Sequence, residues 1–445
     1  MSTICAISTP YGCGGIAIVR VSGEQAIALT DRLFHARKPL AEAAANTIHH
    51  GEIIRNGEVL DEVLVSVFRA PHSFTGEDVV EIACHGSLYI QQTLLQWLID
   101  EGCQMAKAGE FTQRAFLNGK MDLTEAEAVA DLIAAQTKAE KDLAISQLRG
   151  GVSRELTSLR DRLLEFTSLI ELELDFADHE ELEFADRHQL KDLAHEIDAK
   201  LTALTDSFRA GNAIKNGIPV AIIGATNVGK STLLNALVGE ERAIVSDIQG
   251  TTRDTIEDTL ILGGMLFRFI DTAGIRSTTD QIESLGIQRS LRAAQQAMIV
   301  VHVTDATQPA DTLTDIPELH DKVILQVLNK TDLLPQSPTD LTDRQIPLSA
   351  KSGNVEPLKQ ALIREAAQLV DNRNAVTVTN VRHYEALTRA LDAIHRVEQG
   401  LHDNLSGEFL SMDLQDCLNA LGEITGQITS QEVLNNIFAH FCIGK

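Results

Sequence analysis

Basic charge is what this chain has too little of: 38 Lys and Arg stand against 63 Asp and Glu, a formal net charge of −25. Proteins that grip nucleic acid unaided draw affinity from neutralised phosphates and carry a basic patch. No run of basic residues here has that character, so an RNA substrate would rely on a partner for much of its grip. Otherwise the acidity serves solubility. Cysteine is scarce too. The six (Cys5, Cys13, Cys84, Cys103, Cys417 and Cys442) form no CxxC pair and no zinc-finger spacing, which argues against a disulfide framework or structural zinc. Their ordinary role is that of small buried apolar residues. No apolar stretch approaches the ~20 residues of a bilayer crossing, and Met298 to Val303 reads as a buried parallel strand. The N-terminal Met-Ser-Thr-Ile-Cys-Ala-Ile lacks the basic region of a signal peptide, and the chain is expected to be soluble and cytoplasmic with no membrane partner.

Proline is absent between Pro71 and Pro219 and again after Pro357. Helix interiors exclude proline, so both stretches are expected to be helix-rich. In the first, Val152, Leu156, Leu159, Leu163, Phe166 and Ile170 recur at alternating spacings of four and three, the stripe of an amphipathic helix after a break at Gly150-Gly151. Leu414, Leu418, Leu421 and Ile424 repeat the pattern. Thr429 and Glu432 read as a capping box for a last short helix. The acidic run Asp175 to Asp186 lacks the alternate spacing and glycine of a calcium loop and reads as a solvated helix end or linker. The first hundred residues differ. Ile16–Val21, Glu62–Phe68 and Val79–Ala83 are rich in β-branched residues and predict strands, with helical patterns between them, in a small α+β domain. Gly12, Gly14 and Gly15 precede a strand instead of following one, the wrong context for a dinucleotide fingerprint.

Beyond Ile218 strands and helices alternate. Ile218–Ile223 predicts a buried strand, followed by Gly224-Ala225-Thr226-Asn227-Val228-Gly229-Lys230-Ser231 and a helix from Thr232. GxxxxGKS in this context is a phosphate loop. Glycines let backbone N–H groups turn onto the phosphates, Lys230 reaches the β and γ oxygens, and Ser231 takes a magnesium site. Asp271-Thr272-Ala273-Gly274 ends a strand after a Gly263-Gly264 hairpin, with Asp271 placed to hold magnesium through water and Gly274 to sense the γ-phosphate. Thr251 and Thr252 lie where a switch segment belongs, and Thr252 is assigned as its magnesium threonine. Asn329-Lys330-Thr331-Asp332 follows a strand, and Asp332 matches the guanine N–H pattern. Ser349-Ala350-Lys351 follows another and reaches the guanine O6. Five motifs in this order specify a guanine-nucleotide hydrolase. Two positions are unusual. Ras-like enzymes orient the attacking water with a glutamine after the DxxG motif, and here that position is Ile275. Asn227 is a polar residue inside the phosphate loop. It either ligates a monovalent cation in the electrostatic role of an arginine finger or braces the loop. Glu283 is correspondingly either the water-orienting residue or a surface helix charge.

At this point the sequence resembles the MnmE (TrmE) family of tRNA wobble-uridine modification GTPases over essentially its whole length. The resemblance rests on Gly15–Gly23 (GIAIVRVSG), Phe74–Glu81 (FTGEDVVE), Gly109–Leu132, the nucleotide motifs and the tail Phe441–Lys445 (FCIGK). It implies a multidomain α/β and α protein divided into four segments. Residues 1–118 would be an N-terminal α+β domain that dimerises and binds a tetrahydrofolate derivative, the one-carbon donor, and 119–214 the first part of a helical domain. Residues 215–372 would be an inserted Ras-like P-loop G domain, and 373–445 the second helical part with the tail. It implies folate contacts from Arg20, Glu81, Lys120 and Lys445, which as bare residues read as a strand-end pair and solvated lysines. It extends the nucleotide contacts to Asn227 through Thr232 and to Ser246, Asp247, Ile248, Gln249, Gly250, Thr251 and Thr252. It implies potassium at Asn227, Ser246, Ile248 and Thr251, with Glu283 orienting the water. Members work with a flavoprotein, MnmG (GidA), which uses FAD and NADH, to put a (carboxymethyl)aminomethyl group on C5 of the wobble uridine of tRNA. Cys442 would serve that reaction as nucleophile or as structural residue. Departures are Ala225-Thr226 where the family carries Arg-Pro, Ser246 for threonine, and the Gly12-Cys13-Gly14 stretch, which bears on local folate contacts. A ribosome-assembly GTPase is the competing reading, opposed by the acidic flanks and the FCIGK tail. A membrane switch is opposed by the lack of a lipidation signal or basic amphipathic anchor.

Overall fold

Period-two alternation sorts the side chains of the first strands. The computed structural model describes residues 2–175, 187–239, 258–270, 291–308, 319, 322–336, 338, 341–370, 376–439 and 441–444. In it, β2 (Gly14–Ser22) buries Ala17, Val19 and Val21 and turns Ile16, Ile18 and Arg20 to the opposite face. This strand lies between β1 (Ile4–Ile7) and β6 (Val79–Gly86). They belong to a seven-stranded sheet of order β3-β4-β5-β6-β2-β1-β7, completed by β3 (Phe34–His35), β4 (Thr47–Arg55), β5 (Glu58–Phe68) and β7 (Gln104–Met105). Every pairing is antiparallel except that of β1 with β7. Helices α1 (Ala26–Asp31) and α2 (Leu88–Asp100) supply Leu29, Leu94 and Leu98 to one core with Val19, Val21, Val65 and Ile82. The register sets Arg20 opposite Glu81 on one side and Ala6 on the other.

After α3 (Glu110–Leu117), α4 (Leu123–Ala134) and α5 (Lys138–Leu148), the chain breaks at Gly150-Gly151 into α6 (Gly151–Asp175). The whole expected stripe from Val152 to Ile170 is buried, each member 3% exposed or less. It packs along α11 (Gly407–Thr425), whose Leu414, Leu418, Leu421 and Ile424 are buried in turn. The last helix, α12 (Gln431–Ala439), corrects one expectation. Its first turn is capped by the Ser430 hydroxyl, which accepts from the Val433 N–H at 3.3 Å, one residue after the predicted Thr429–Glu432 box. Leu434, Phe438 and Phe441 then close on Leu123 and Ala126 of α4.

The chain divides into two compact units, Met1–Ile133 with Ser146–Leu190 and Arg396–Lys445, and Ala134–Ile145 with Lys191–His395. The second holds a six-stranded sheet, order β13-β12-β11-β8-β10-β9. Its strands are β8 (Ile218–Ile223), β9 (Asp258–Leu262), β10 (Met265–Phe269), β11 (Ile299–Asp305), β12 (Val323–Asn329) and β13 (Gln345–Pro347). All pairings are parallel except the β9–β10 hairpin, which turns at Gly263-Gly264. β11 is buried along its full length, as a strand covered on both faces must be. On one side α8 (Lys230–Gly239) and α9 (Glu356–Val370) bring Leu233, Leu237, Leu358 and Leu362 to the core. On the other lie Ala294, Ala297 and Ile270. Helices α7 (Arg187–Asn216) and α10 (Val381–His402) meet through stacked Phe208 and Tyr384 rings, 4.5 Å apart. Among the described residues no helix is long and apolar enough to cross a membrane.

Candidate functional site

Because β8, β11, β12 and β13 run parallel, the loops that follow them emerge at one edge of the sheet, where open α/β sheets bind ligands. The loop between β8 and α8 is the predicted phosphate loop, and close approach dictates its glycines. A Cβ at Gly224 (φ +146°) would lie 2.2 Å from the Val303 carbonyl, and one at Gly229 (φ +100°) 2.3 Å from the Asn329 amide nitrogen. Asn227 sits between them, exposed, with φ +62°. Lys230 donates to the carbonyls of Gly224 (2.8 Å) and Ala225 (2.6 Å). Burial pushes its pKa down, a cost that a bound phosphate anion would offset. Ser231 and Thr232 stand in the first turn of α8, where the helix dipole favours an anion.

Asn329 joins this loop to the base-side loops. Its side chain is buried, with Nδ2 donating to the Val228 carbonyl at 2.7 Å and Oδ1 accepting from Ala350 N–H at 2.9 Å. One amide thus locks three motifs together. Next to it Lys330, at φ +65°, donates to Asp305 Oδ2 at 2.6 Å. The Ser349 hydroxyl donates to Asp332 Oδ1 at 2.6 Å, fixing the exposed carboxylate assigned to guanine. Lys351 is exposed on the short turn Ala350–Ser352. Asp305 was not foreseen, although it ends an apolar strand beside the neighbouring ligand loops. Lys330, then Thr307, holds its carboxyl down at about 2 against the usual 3.8. A depressed carboxylate pKa contributes stability above the unfolded value that is lost as pH falls through the folded one. An Asp305→Asn variant should therefore melt below the parent near neutral pH, with the gap closing between pH ~4 and ~2. A gap independent of pH across that window would count against the pairing.

Of the other nucleotide residues, Ser246, Asp247, Ile248, Gln249, Gly250, Thr251, Thr252, Asp271, Thr272, Ala273, Gly274, Ile275 and Glu283 lie outside the described residues. So do Lys445 and residues 176–186 of the acidic run.

A second constellation is built on the first sheet. The β2–β6 register delivers Arg20 to Glu81, and Nε and Nη2 both donate to Glu81 Oε1, at 2.9 and 2.8 Å. The guanidinium lies 5.5 Å from the Phe74 ring centroid and 5.6 Å from that of Phe111, within the range of cation–π attraction. Its Nη1 donates to the Gly444 carbonyl at 3.4 Å, and the Ser8 hydroxyl donates to the same oxygen at 3.0 Å. A β-bridge between Ala108 and Ile443 completes the tail's attachment. Cys442 is exposed within that tail, its carbonyl accepting from Gly109 N–H at 3.4 Å. Arg20, Glu81 and the residue preceding Lys445 are thus brought together, while Lys120 donates to the Pro71 carbonyl at 3.0 Å. Ser8, Phe74 and Phe111 were not foreseen as parts of this cluster. Only the FTGEDVVE and GEFTQR stretches around the two rings hinted at them.

Two family models together match most of the chain. The MnmE helical domain matches residues 123–442, and the GTP-binding protein TrmE N-terminus matches residues 3–120. The chain is 56% identical, over 462 aligned positions, to the tRNA modification GTPase MnmE of Parabacteroides distasonis, covering 100% of both. It is 54% identical to the tRNA modification GTPase MnmE of Bacteroides fragilis, covering 100% of this chain and 99% of the relative. With the protein of the same name from Flavobacterium johnsoniae the identity is 49%, again over 100% and 99% of the two chains.

Proposed function

The chain belongs to the MnmE family of tRNA modification GTPases, and on that premise we propose how its two constellations serve one reaction. It is a GTP hydrolase that acts in tRNA modification. Working in the cytoplasm with an FAD-dependent partner, MnmG, which draws on NADH, it forms the C5 (carboxymethyl)aminomethyl group of the wobble uridine. A tetrahydrofolate derivative supplies the one-carbon unit. The observation that carries this reading is that one chain holds both a phosphate loop locked through Asn329 to two base-side loops and, in its other unit, an Arg20–Glu81 pair capped by the tail. Residues 1–118 form the folate domain in this reading, 119–214 and 373–445 the helical domain, and 215–372 the G domain.

In the nucleotide site the backbone of residues 227–232 cradles the phosphates and Lys230 meets the β and γ oxygens. Asp332, Ser349, Ala350 and Lys351 hold guanine. Ser231 and Thr252, with Asp271 through water, would hold magnesium, for which an all-oxygen donor set is suited. Bound there, the ion neutralises charge on the phosphate oxygens. Asn227, Ser246, Ile248 and Thr251 would hold potassium, and Glu283 orients the attacking water where Ile275 cannot. Hydrolysis in potassium should exceed that in sodium by tenfold or more, because a removed electrostatic stabiliser costs about 10²–10³ in rate. Equal phosphate-release rates in the two salts would remove potassium from the reading.

Around Arg20, the carboxylate of Glu81 suits the ring N–H groups of a folate, and Lys120 and Lys445 suit its carboxylates. The chain acts as a homodimer in this reading. The exposed Ile16, Ile48 and Leu64 on the first sheet support a second copy there. Mass spectrometry of nucleosides from cells lacking the gene tests the whole. C5-aminomethyl-type uridines should disappear, and should return with the intact gene but not with Asp271→Ala or Cys442→Ser. Unchanged uridines with accumulating ribosomal precursors would shift the chain to ribosome assembly.

A further inference from the structure

No basic run exists in the sequence, yet the fold collects one. The helix α6 carries its apolar stripe on one side, and on the other a polar stripe recurs at the same helical spacing. Ser153, Arg154, Thr157, Ser158 and Arg162 of this stripe, with Arg149 from the break before the helix, line an open groove of about 500 Å³. The stretch from Arg149 to Arg162 contains four arginines and two acids, a local excess of positive charge in a chain whose formal net charge is −25. Arg149 makes no ion pair among the described residues. Arg154 is aimed by a hydrogen bond from Nη1 to the Arg149 carbonyl at 2.5 Å, and Arg162 is 3.5 Å from Glu165. The Ser153 hydroxyl is held by Asp122 and Thr124. Two acids share the lining, Glu125 and Asp161. Burial pushes the Glu125 carboxyl up from the usual carboxylate range.

We propose that this groove along α6 binds the sugar–phosphate backbone of the tRNA substrate. The inference rests on the tRNA reading above and adds to it a surface on the protein itself. Guanidinium and hydroxyl donors are the groups that contact phosphate and sugar without reading sequence. Gly151 to Arg162 spans about 17 Å of helix at 1.5 Å per residue, long enough to follow several phosphates instead of one small anion. A protein partner fits less well, since no aromatic or aliphatic side chain lines the groove to serve as the desolvated anchor of a protein interface.

Binding of an unmodified tRNA transcript to the full chain, followed by fluorescence anisotropy across a salt series, tests this. Replacing Arg149, Arg154 and Arg162 together by glutamine should weaken binding tenfold or more. It should also flatten the log–log salt dependence by about 2, since each phosphate contact contributes ~0.7–0.9. Arg149→Gln alone, which removes no ion pair and so spares the fold, should weaken binding roughly threefold. Arg160→Gln, on the same helix but outside the groove, should leave affinity and slope unchanged. If the parent binds tRNA and the triple and single variants match it in affinity and slope, the groove is wrong and the tRNA reading survives. If the parent protein does not bind tRNA alone or with its flavoprotein partner, and modified uridines persist without the gene, both fall. Loss of flavoprotein binding with tRNA binding intact would make the groove a protein-docking surface and overturn the proposal.

Discussion

Lys230→Ala is expected to lower the rate of GTP hydrolysis by a hundred- to a thousandfold, on the order of 3–4 kcal/mol of transition-state stabilisation. The ammonium is held over the phosphate loop by the Gly224 and Ala225 carbonyls, and burial already disfavours its charge. A triphosphate offers it oxygens whose negative charge grows as the γ-phosphoryl group transfers, so the interaction strengthens along the reaction and belongs to the rate. Lys230→Arg should not restore activity, because a planar fork does not fit where a compact point charge is required. Phosphate release under saturating GTP reads the effect. A loss under threefold would remove Lys230 from the catalytic role assigned to it.

The second large effect lies in the other unit. Arg20→Ala should weaken binding of a tetrahydrofolate derivative about a hundredfold, at the low end of the range for truncating one partner of a hydrogen-bonded charge pair, since this pair is half-buried. The substitution takes both donors from Glu81, leaves two aromatic rings without their cation and takes one donor from the Gly444 carbonyl. Glu81→Gln, which keeps the side chain's shape and one acceptor, should cost less. Calorimetric titration of the full chain, with a thermal melt to exclude unfolding, measures both. Equal folate affinity in parent and Arg20→Ala would detach the first sheet from the one-carbon chemistry.

Much of this architecture was legible because local rules and tertiary structure agree. The stripe Val152 to Ile170 is wholly buried, the apolar run near Met298 is a parallel strand in the middle of its sheet, and the phosphate loop lies between strand and helix where its spacing required. The shortfalls have different causes, and the first is distance along the chain. Arg20 and Glu81 read as an ordinary strand-end pair until the tail arrives beside them, and no periodicity links residue 20 to residue 444. The groove arginines Arg149, Arg154 and Arg162 escaped notice because they are separated by glycine, serine, threonine and acids, and only the folded start of α6 gathers them. The short strands β3 and β7, of two residues each, are made by pairing and carry almost no pattern of their own. At α12 the serine and threonine compete for the same cap, and sequence alone favoured the one with a glutamate three residues on.

The tail's seat has a consequence in time. The hydrogen bond from Arg20 to Gly444 spans 424 residues, and at about 5–20 residues per second a ribosome needs roughly 20–85 s to cover that interval. The strands of the first sheet are made early, but this bond cannot close until the intervening residues have been synthesised. Any premature stop or frameshift in between leaves a molecule with a formed sheet and an unfinished cradle. The cluster around Arg20 is therefore complete only in chains whose reading frame was kept to residue 444.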